Sequence, residues 1–186
     1  MLDWDGKISS VIFLAGCNFR CPFCDNGILI LAPETLNSIS FEEIKKYLLD
    51  HKEWIDGVVI SGGEPTINSS LPNLANRIKD LGFLVKVDTN GSNPKILKDL
   101  INKILIDYVA MDLKAPLDGR YNIVSGARVK LDSIKESIDI LMYSEIDYEF
   151  RTTIVPTLLD EGDIGKMVKS IKGSKKFILQ QFVPDH

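Results

Sequence analysis

A chain of 186 residues, 45% hydrophobic and 26% charged, fits a single domain over residues 1–186 with a core of its own. Its net charge of −4 gives no electrostatic reason to expect nucleic acid or an anionic membrane as partner. No apolar run reaches the ~18 residues of a spanning helix, and the opening MLDWDGK lacks the charged-then-apolar order of a signal peptide, so a cytoplasmic location is expected.

The elements alternate along the chain. A strand over 8–14 comes first, then a helix over 41–52 with a Ser40…Glu43 capping box and Phe41, Ile44 and Leu48 on one face. Val58, Val59 and Ile60 form the second strand. Leu71, Leu74, Ala75, Ile78 and Leu81 mark a helix that Gly82 stops, and a strand over 84–88 follows. Asn93-Pro94 reads as an N-cap with proline at the first helical position, opening a helix that carries Leu97, Leu100, Ile101 and Ile104. A strand over 108–113, a helix with Ile134, Ile138 and Leu141, and a strand over 148–155 come next. A helix with Ile164, Met167, Val168 and Ile171 and a strand over 177–180 complete the pattern. The five lysines between 166 and 176 read as a solvated helix face. Six strands separated by helices predict a parallel α/β sheet, because each crossover returns the chain to the same edge. A full eight-unit barrel takes ~250 residues. This length suits a partial (β/α)6 barrel or a doubly wound sheet.

The unusual polar residues recur near the C-terminal ends of successive strands. A loop holding Cys17, Cys21 and Cys24 follows the first strand and Ser61-Gly62-Gly63-Glu64-Pro65 the second. Asp88-Thr89-Asn90-Gly91 ends the third, Asp112-Leu113-Lys114 the fourth, and Arg151 lies in the fifth. Taken singly, the glycine pair or Asn90-Gly91 could be ordinary turns and Asp112 with Lys114 a surface ion pair. Their shared edge points to one ligand site.

In a reducing compartment three clustered cysteines indicate metal binding or redox catalysis rather than a structural disulfide, and the N-x-S matches at Asn68 and Asn90 are then chance. The spacing C-x3-C-x2-C supplies three thiolates, and the two histidines, His51 and His186, sit on a predicted helix and at the chain terminus. A closed zinc site is short of a ligand, whereas a 4Fe-4S cluster held by three cysteines keeps one iron open to an outside ligand. Zinc stays as a competing reading. So does a thioredoxin-like dithiol at Cys21 and Cys24, although Pro156 lies too far downstream for the turn proline of that fold.

Cys17, Cys21, Phe23 and Cys24 match C-x3-C-x-aromatic-C, and with the GGEP of Gly62 to Pro65 the chain resembles the radical S-adenosylmethionine (SAM) enzymes over nearly its whole length. Asp88 to Gly91, Met111 to Lys114 and Arg151 resemble the glycyl-radical-enzyme activases. The stretch from Asp5 to Asn26 and Gln180 to Pro184 are most similar to the activating proteins of anaerobic ribonucleoside-triphosphate reductase. The resemblance implies a radical SAM core in which Cys17, Cys21 and Cys24 hold a 4Fe-4S cluster and SAM chelates the fourth iron. It further implies that Phe23 flanks the adenine, with Asp25 and Asn90 beside the cofactor, and that Gly62 and Gly63 approach the methionine amino group while Glu64 anchors their loop. Asp88 and Asp112 would meet the amino group and ribose, or a monovalent cation beside the SAM carboxylate. Leu113 adjoins them, and Lys114 and Arg151 would supply positive charge to that carboxylate.

The implied reaction takes an electron from flavodoxin or ferredoxin and cleaves SAM to methionine and a 5′-deoxyadenosyl radical. That radical abstracts a hydrogen atom from a glycine of a partner glycyl radical enzyme, reached through the lateral opening of an unclosed barrel. Asp25 stands where activases often have histidine, and the region of Gln181, Phe182 and Val183 where pyruvate formate-lyase activases have another, which argues against that branch. With no further cysteine, auxiliary clusters are not expected. The chain stops at 186 without a closing helix, which suggests a shortened chain or an edge covered by the partner. Two other readings compete: a radical SAM enzyme acting on a small metabolite, such as a ring-contracting synthase, and a metal-binding or electron-transfer module.

Overall fold

A computed structural model describes residues 3–183, so Pro184 and His186 of the sequence reading lie outside the described residues. The strands are β1 (Ser9–Leu14), β2 (Gly57–Gly62), β3 (Leu84–Thr89), β4 (Tyr108–Asp112), β5 (Asp147–Ile154) and β6 (Phe177–Gln181). The helices are α1 (Gly27–Leu31), α2 (Phe41–Asp50), α3 (Leu71–Asp80), α4 (Pro94–Asn102), α5 (Arg120–Ser125), α6 (Leu131–Met142) and α7 (Glu161–Ser170).

All strand pairs are parallel, and their spatial order is the sequence order β1 to β6. A doubly wound sheet needs a point where that order reverses. Here it never does, so right-handed crossovers put every connecting helix on the same side, and the curled, partial-barrel reading holds. Among the described residues, β1 and β6 each pair on one side only.

Local rules explain most helix starts. Ser40 Oγ accepts from the Glu43 amide at 3.3 Å while Glu43 Oε2 accepts from the Ser40 amide at 2.9 Å, closing the expected box at α2. Asp160 and Asp163 build a second box at α7, which the sequence reading did not recognise. Three expectations need correction. Asn93 does not cap α4 with its side chain; its amide donates to the Thr66 carbonyl at 2.9 Å instead. Ile104 lies beyond α4, exposed and at φ +54°, where the chain reverses toward β4. Val168 is half exposed rather than on the buried face of α7.

Alternation along the strands separates two interiors. Toward the helices, Val58, Ile60, Val85, Val87, Val109, Met111 and Phe150 are fully buried against Leu71, Ile78, Leu97, Leu100, Ile134 and Leu141. The residues between them face inward and are largely polar. The N-terminal end of this inner space is covered by the segment before β1, where Trp4 is buried against Tyr108 with ring centroids 5.8 Å apart. Gly57 is required there, since a Cβ would sit 2.8 Å from the Trp4 ring. No helix among the described residues is long and apolar enough to cross a membrane.

Candidate functional site

The cysteine loop leaves β1 through Gly16 at φ +87° and is fastened on two sides. On one side, Gly63 donates to the Leu14 carbonyl at 2.9 Å, Glu64 to the Gly16 carbonyl at 2.8 Å, and Asn26 Nδ2 to the Gly62 carbonyl at 3.1 Å. Chain lies so close on chain that a Cβ on Gly62 would strike Leu14 and one on Gly63 would strike the Gly16 carbonyl. The glycine pair is thus demanded by packing against the cysteine loop, a reason beyond the expected approach to a ligand. On the other side stands α5, which the sequence reading missed. Arg20 donates its amide to the Ser125 carbonyl at 2.8 Å, and its guanidinium bonds the Cys17 and Phe19 carbonyls at 2.7 Å each. Phe19, buried, meets Tyr121 edge-on at 6.5 Å.

Cys17 Sγ accepts from the Phe19 amide at 3.3 Å, and Cys24 donates its amide to the Cys21 carbonyl at 3.2 Å. Burial pushes the Cys17 and Cys21 thiols up, while Cys24 is exposed. Among the described residues no three Cys, His, Asp or Glu side chains close around one point. A single ion needs such convergence, whereas an iron–sulfur cluster takes each thiolate on a separate iron. All three thiols line one cavity, as a cluster held by three cysteines requires.

Glu64 joins the ends of β2 and β3. Buried, it accepts from Thr89 Oγ1 at 2.7 Å, from the Asn90 amide at 2.6 Å and from the Thr66 amide at 3.0 Å. Burial raises its carboxyl, and these donors pull it back. Asn90 Nδ2 then reaches Asn18 Oδ1 at 2.9 Å, tying the end of β3 to the cysteine loop.

Next along the edge is a chain of alternating charges. Lys114 Nζ lies 2.8 Å from Asp112 Oδ2, Arg151 Nε 3.0 Å from Asp112 Oδ1, and Arg151 Nη2 3.3 Å from Asp88 Oδ2. Burial alone would raise Asp112, but Lys114 and Arg151 outweigh it and hold the carboxyl at about 2. Burial alone would lower Lys114 and Arg151, but Asp112, and for Arg151 also Asp88, raises both above their ordinary values. Both cations are thus already paired with carboxylates, and Arg151 bridges Asp88 and Asp112, the two residues that the resemblance also offers to a monovalent cation. Burial raises Asp88 in spite of Arg151. Its Oδ2 accepts from Ser61 Oγ at 3.2 Å, while the buried Oδ1 has no hydrogen-bond partner.

One cavity collects Cys17, Cys21, Phe23, Cys24, Asp25, Gly62, Gly63, Glu64, Asp88, Asn90, Asp112, Lys114 and Arg151. Leu113 is the exception. It is fully buried in the helix-side core, because its neighbours Asp112 and Lys114 take the inward direction. Ser61, Thr89, Thr153 and Gln180 also line the cavity; the first two were placed at the shared edge and Gln180 in the late motif without a role, and Thr153 was not named. For Ser61 and Thr153 the signal was period two, one step from Val59 and from Arg151. Phe23 stands edge-on to Phe182 at 6.5 Å, with Lys114 Nζ 6.0 Å from its ring. Asp25 also borders a second, adjoining hollow with Gln180, Gln181, Phe182 and Val183.

The cavity's donor set fits a cluster with an organic ligand: three thiols on the loop after β1, and the carboxylates and paired cations at the ends of β3, β4 and β5. The pattern of the radical SAM superfamily matches residues 11–171. A Methanocaldococcus jannaschii protein named as a glycyl-radical enzyme activating enzyme is 38% identical over 188 residues, covering 98% of this chain and 76% of the relative. The pyruvate formate-lyase-activating enzyme of Clostridium pasteurianum is 27% identical over 198 residues, covering 100% of this chain and 78% of that protein. Among solved structures, Streptococcus suis SuiB bound to S-adenosylmethionine superposes with a TM-score of 0.72 at 19% identity, over 96% of this chain and 40% of that one, a likeness of fold.

Proposed function

The chain belongs to the radical SAM superfamily, within it to the glycyl-radical enzyme activating enzymes, and on that footing we propose that it generates a glycyl radical on a partner enzyme. The observation that carries this reading is the one cavity that all three cysteines line together with Asp88, Asp112, Lys114 and Arg151 from the ends of β3, β4 and β5. A cluster with SAM, when bound, supplies one-electron cleavage of a carbon–sulfur bond and a 5′-deoxyadenosyl radical that takes a hydrogen atom.

In this reading Cys17, Cys21 and Cys24 hold the cluster, and the Asp88 carboxylate accepts from the SAM amino group. Glu64 fixes the glycine loop and the Asn90 backbone together, so that the ends of β2 and β3 keep their spacing when the ligand enters. Arg151 and Lys114 hold Asp112 rigid, and with a formal charge near balance this wall orients a zwitterion without capturing a free anion. Phe23 and Phe182 present an apolar edge suited to the adenine and exclude water there. The free edges of β1 and β6 border the way in for a backbone glycine. The partner is an anaerobic ribonucleotide reductase, the electron comes from a reduced flavodoxin or ferredoxin, and the work is done as one domain in the cytoplasm.

The test is anaerobic reconstitution followed by SAM, dithionite and a candidate glycyl radical enzyme. The reading expects 5′-deoxyadenosine, methionine and the doublet electron paramagnetic resonance signal of a glycyl radical. SAM cleavage with no radical on any candidate partner would favour a small-molecule substrate.

A further inference from the structure

Beneath the site lies a second pair of buried charges to which the proposed chemistry gives no role. Lys86 stands two residues before Asp88 on β3, and Glu149 two residues before Arg151 on β5, so both face the inner space one step nearer its closed end. Lys86 is 2% exposed and Glu149 5%. Lys86 Nζ lies 3.4 Å from Glu149 Oε1 and donates to the Asp3 carbonyl of the segment before β1. Glu149 Oε2 accepts from the Tyr108 hydroxyl at 3.0 Å and lies 3.5 Å from Lys176 Nζ.

A buried ion pair is poor evidence of a stability device, because apolar side chains of similar volume often do as well or better. Its placement supplies another reason. Lys86 Nζ is 3.8 Å from Asp88 Oδ1, near enough to attract the carboxylate but beyond a hydrogen bond, and that oxygen is the one left without a partner. Glu149 and the Asp3 carbonyl hold the ammonium down; without them it could rise and cap Oδ1. We propose that Lys86, restrained by Glu149, is a positioning residue that orients the Asp88 carboxylate from below, close enough to attract it and too far to cap it. The inference rests on the reading above, in which Asp88 meets the SAM ammonium.

The experiment measures SAM dissociation by equilibrium dialysis on reconstituted protein, with cluster absorbance and urea unfolding recorded on the same samples. Lys86→Met/Glu149→Met removes both charges together, so a purely structural pair predicts little change in binding. The positioning role predicts full cluster content, a near wild-type unfolding midpoint and SAM binding weakened about tenfold or more, as for loss of a charge-assisted contact. Glu149→Gln keeps an acceptor for Tyr108 but loosens the lysine, and it should weaken binding in the same direction, whereas Lys86→Arg, which keeps the charge, should retain most of the wild-type affinity. A folded double variant, or a folded Glu149→Gln protein, that binds SAM as the wild type does overturns the inference alone. A wild-type protein that takes up cluster but no SAM overturns the functional reading and this inference with it.

Discussion

Along β3 the side chains of Val85 and Val87 are fully buried against the helices, whereas Lys86 and Asp88, each one residue away, face the inside of the curled sheet. On β5 Phe150 and Arg151 divide in the same way. The helix-facing side is a continuous apolar layer whose contribution is hydrophobic burial and packing. The inner side is a row of charges running from Lys114 through Asp112, Arg151, Asp88 and Lys86 to Glu149, with no contact longer than 3.8 Å. The difference teaches that one set of strands does two jobs. Period two keeps the stabilising residues and the ligand-facing residues apart, so the inner face can hold charges that would be expensive in a core packed only for stability.

Three changes would break or sharpen that separation. The largest effect is expected from Phe150→Ala, which empties a fully buried aromatic site on the helix side. It should lower stability by about 3–5 kcal/mol in urea unfolding, while the folded fraction keeps its SAM affinity. A large loss of affinity would mean that the two faces are not independent. Next is Asp112→Asn on the inner face. Asp112 is held at about 2 against an ordinary 3.8, so its stabilisation is fully present above pH 3.8 and is lost as pH falls through about 2. The stability gap between wild type and Asp112→Asn should therefore shrink by about 2 kcal/mol between pH 5 and pH 2, measured as paired urea curves. The raised carboxyl of Asp88 acts in the opposite sense, and because Asp112 contributes to that rise the variant also brings Asp88 down. The smallest effect belongs to Ser40→Ala, far from either face. Loss of the α2 cap should cost about 1 kcal/mol and leave SAM binding unchanged.

Much of this was legible in the sequence because it rests on local rules. Strand alternation, the Ser40 and Glu43 box, the stop at Gly82 and the clustering of polar residues at strand ends each need only a few neighbouring residues. What escaped depends on distant partners. Nothing near Trp4 says that it will cover the end of the barrel against Tyr108, and nothing near Arg120 to Ser125 says that this short helix will brace the cysteine loop through Arg20. The glycines of GGEP announced a close approach, but only the fold shows that what approaches is the Gly16 carbonyl. Lys114 and Arg151 were recognisable as cations, yet their pairing with Asp112 and Asp88 appears only when three strand ends are side by side. Leu113 was carried along by its sequence neighbours, although alternation alone turns it into the core.

The central claim is that three cysteines on the β1 loop hold a cluster whose remaining iron is open to SAM. The most direct test is the electron paramagnetic resonance spectrum of the reduced, reconstituted protein recorded with and without SAM, beside Cys17→Ala. The account predicts a reduced 4Fe-4S signal whose g values move when SAM is added, and loss of that signal in Cys17→Ala. Identical spectra with and without SAM, or an intact cluster in Cys17→Ala, would contradict it.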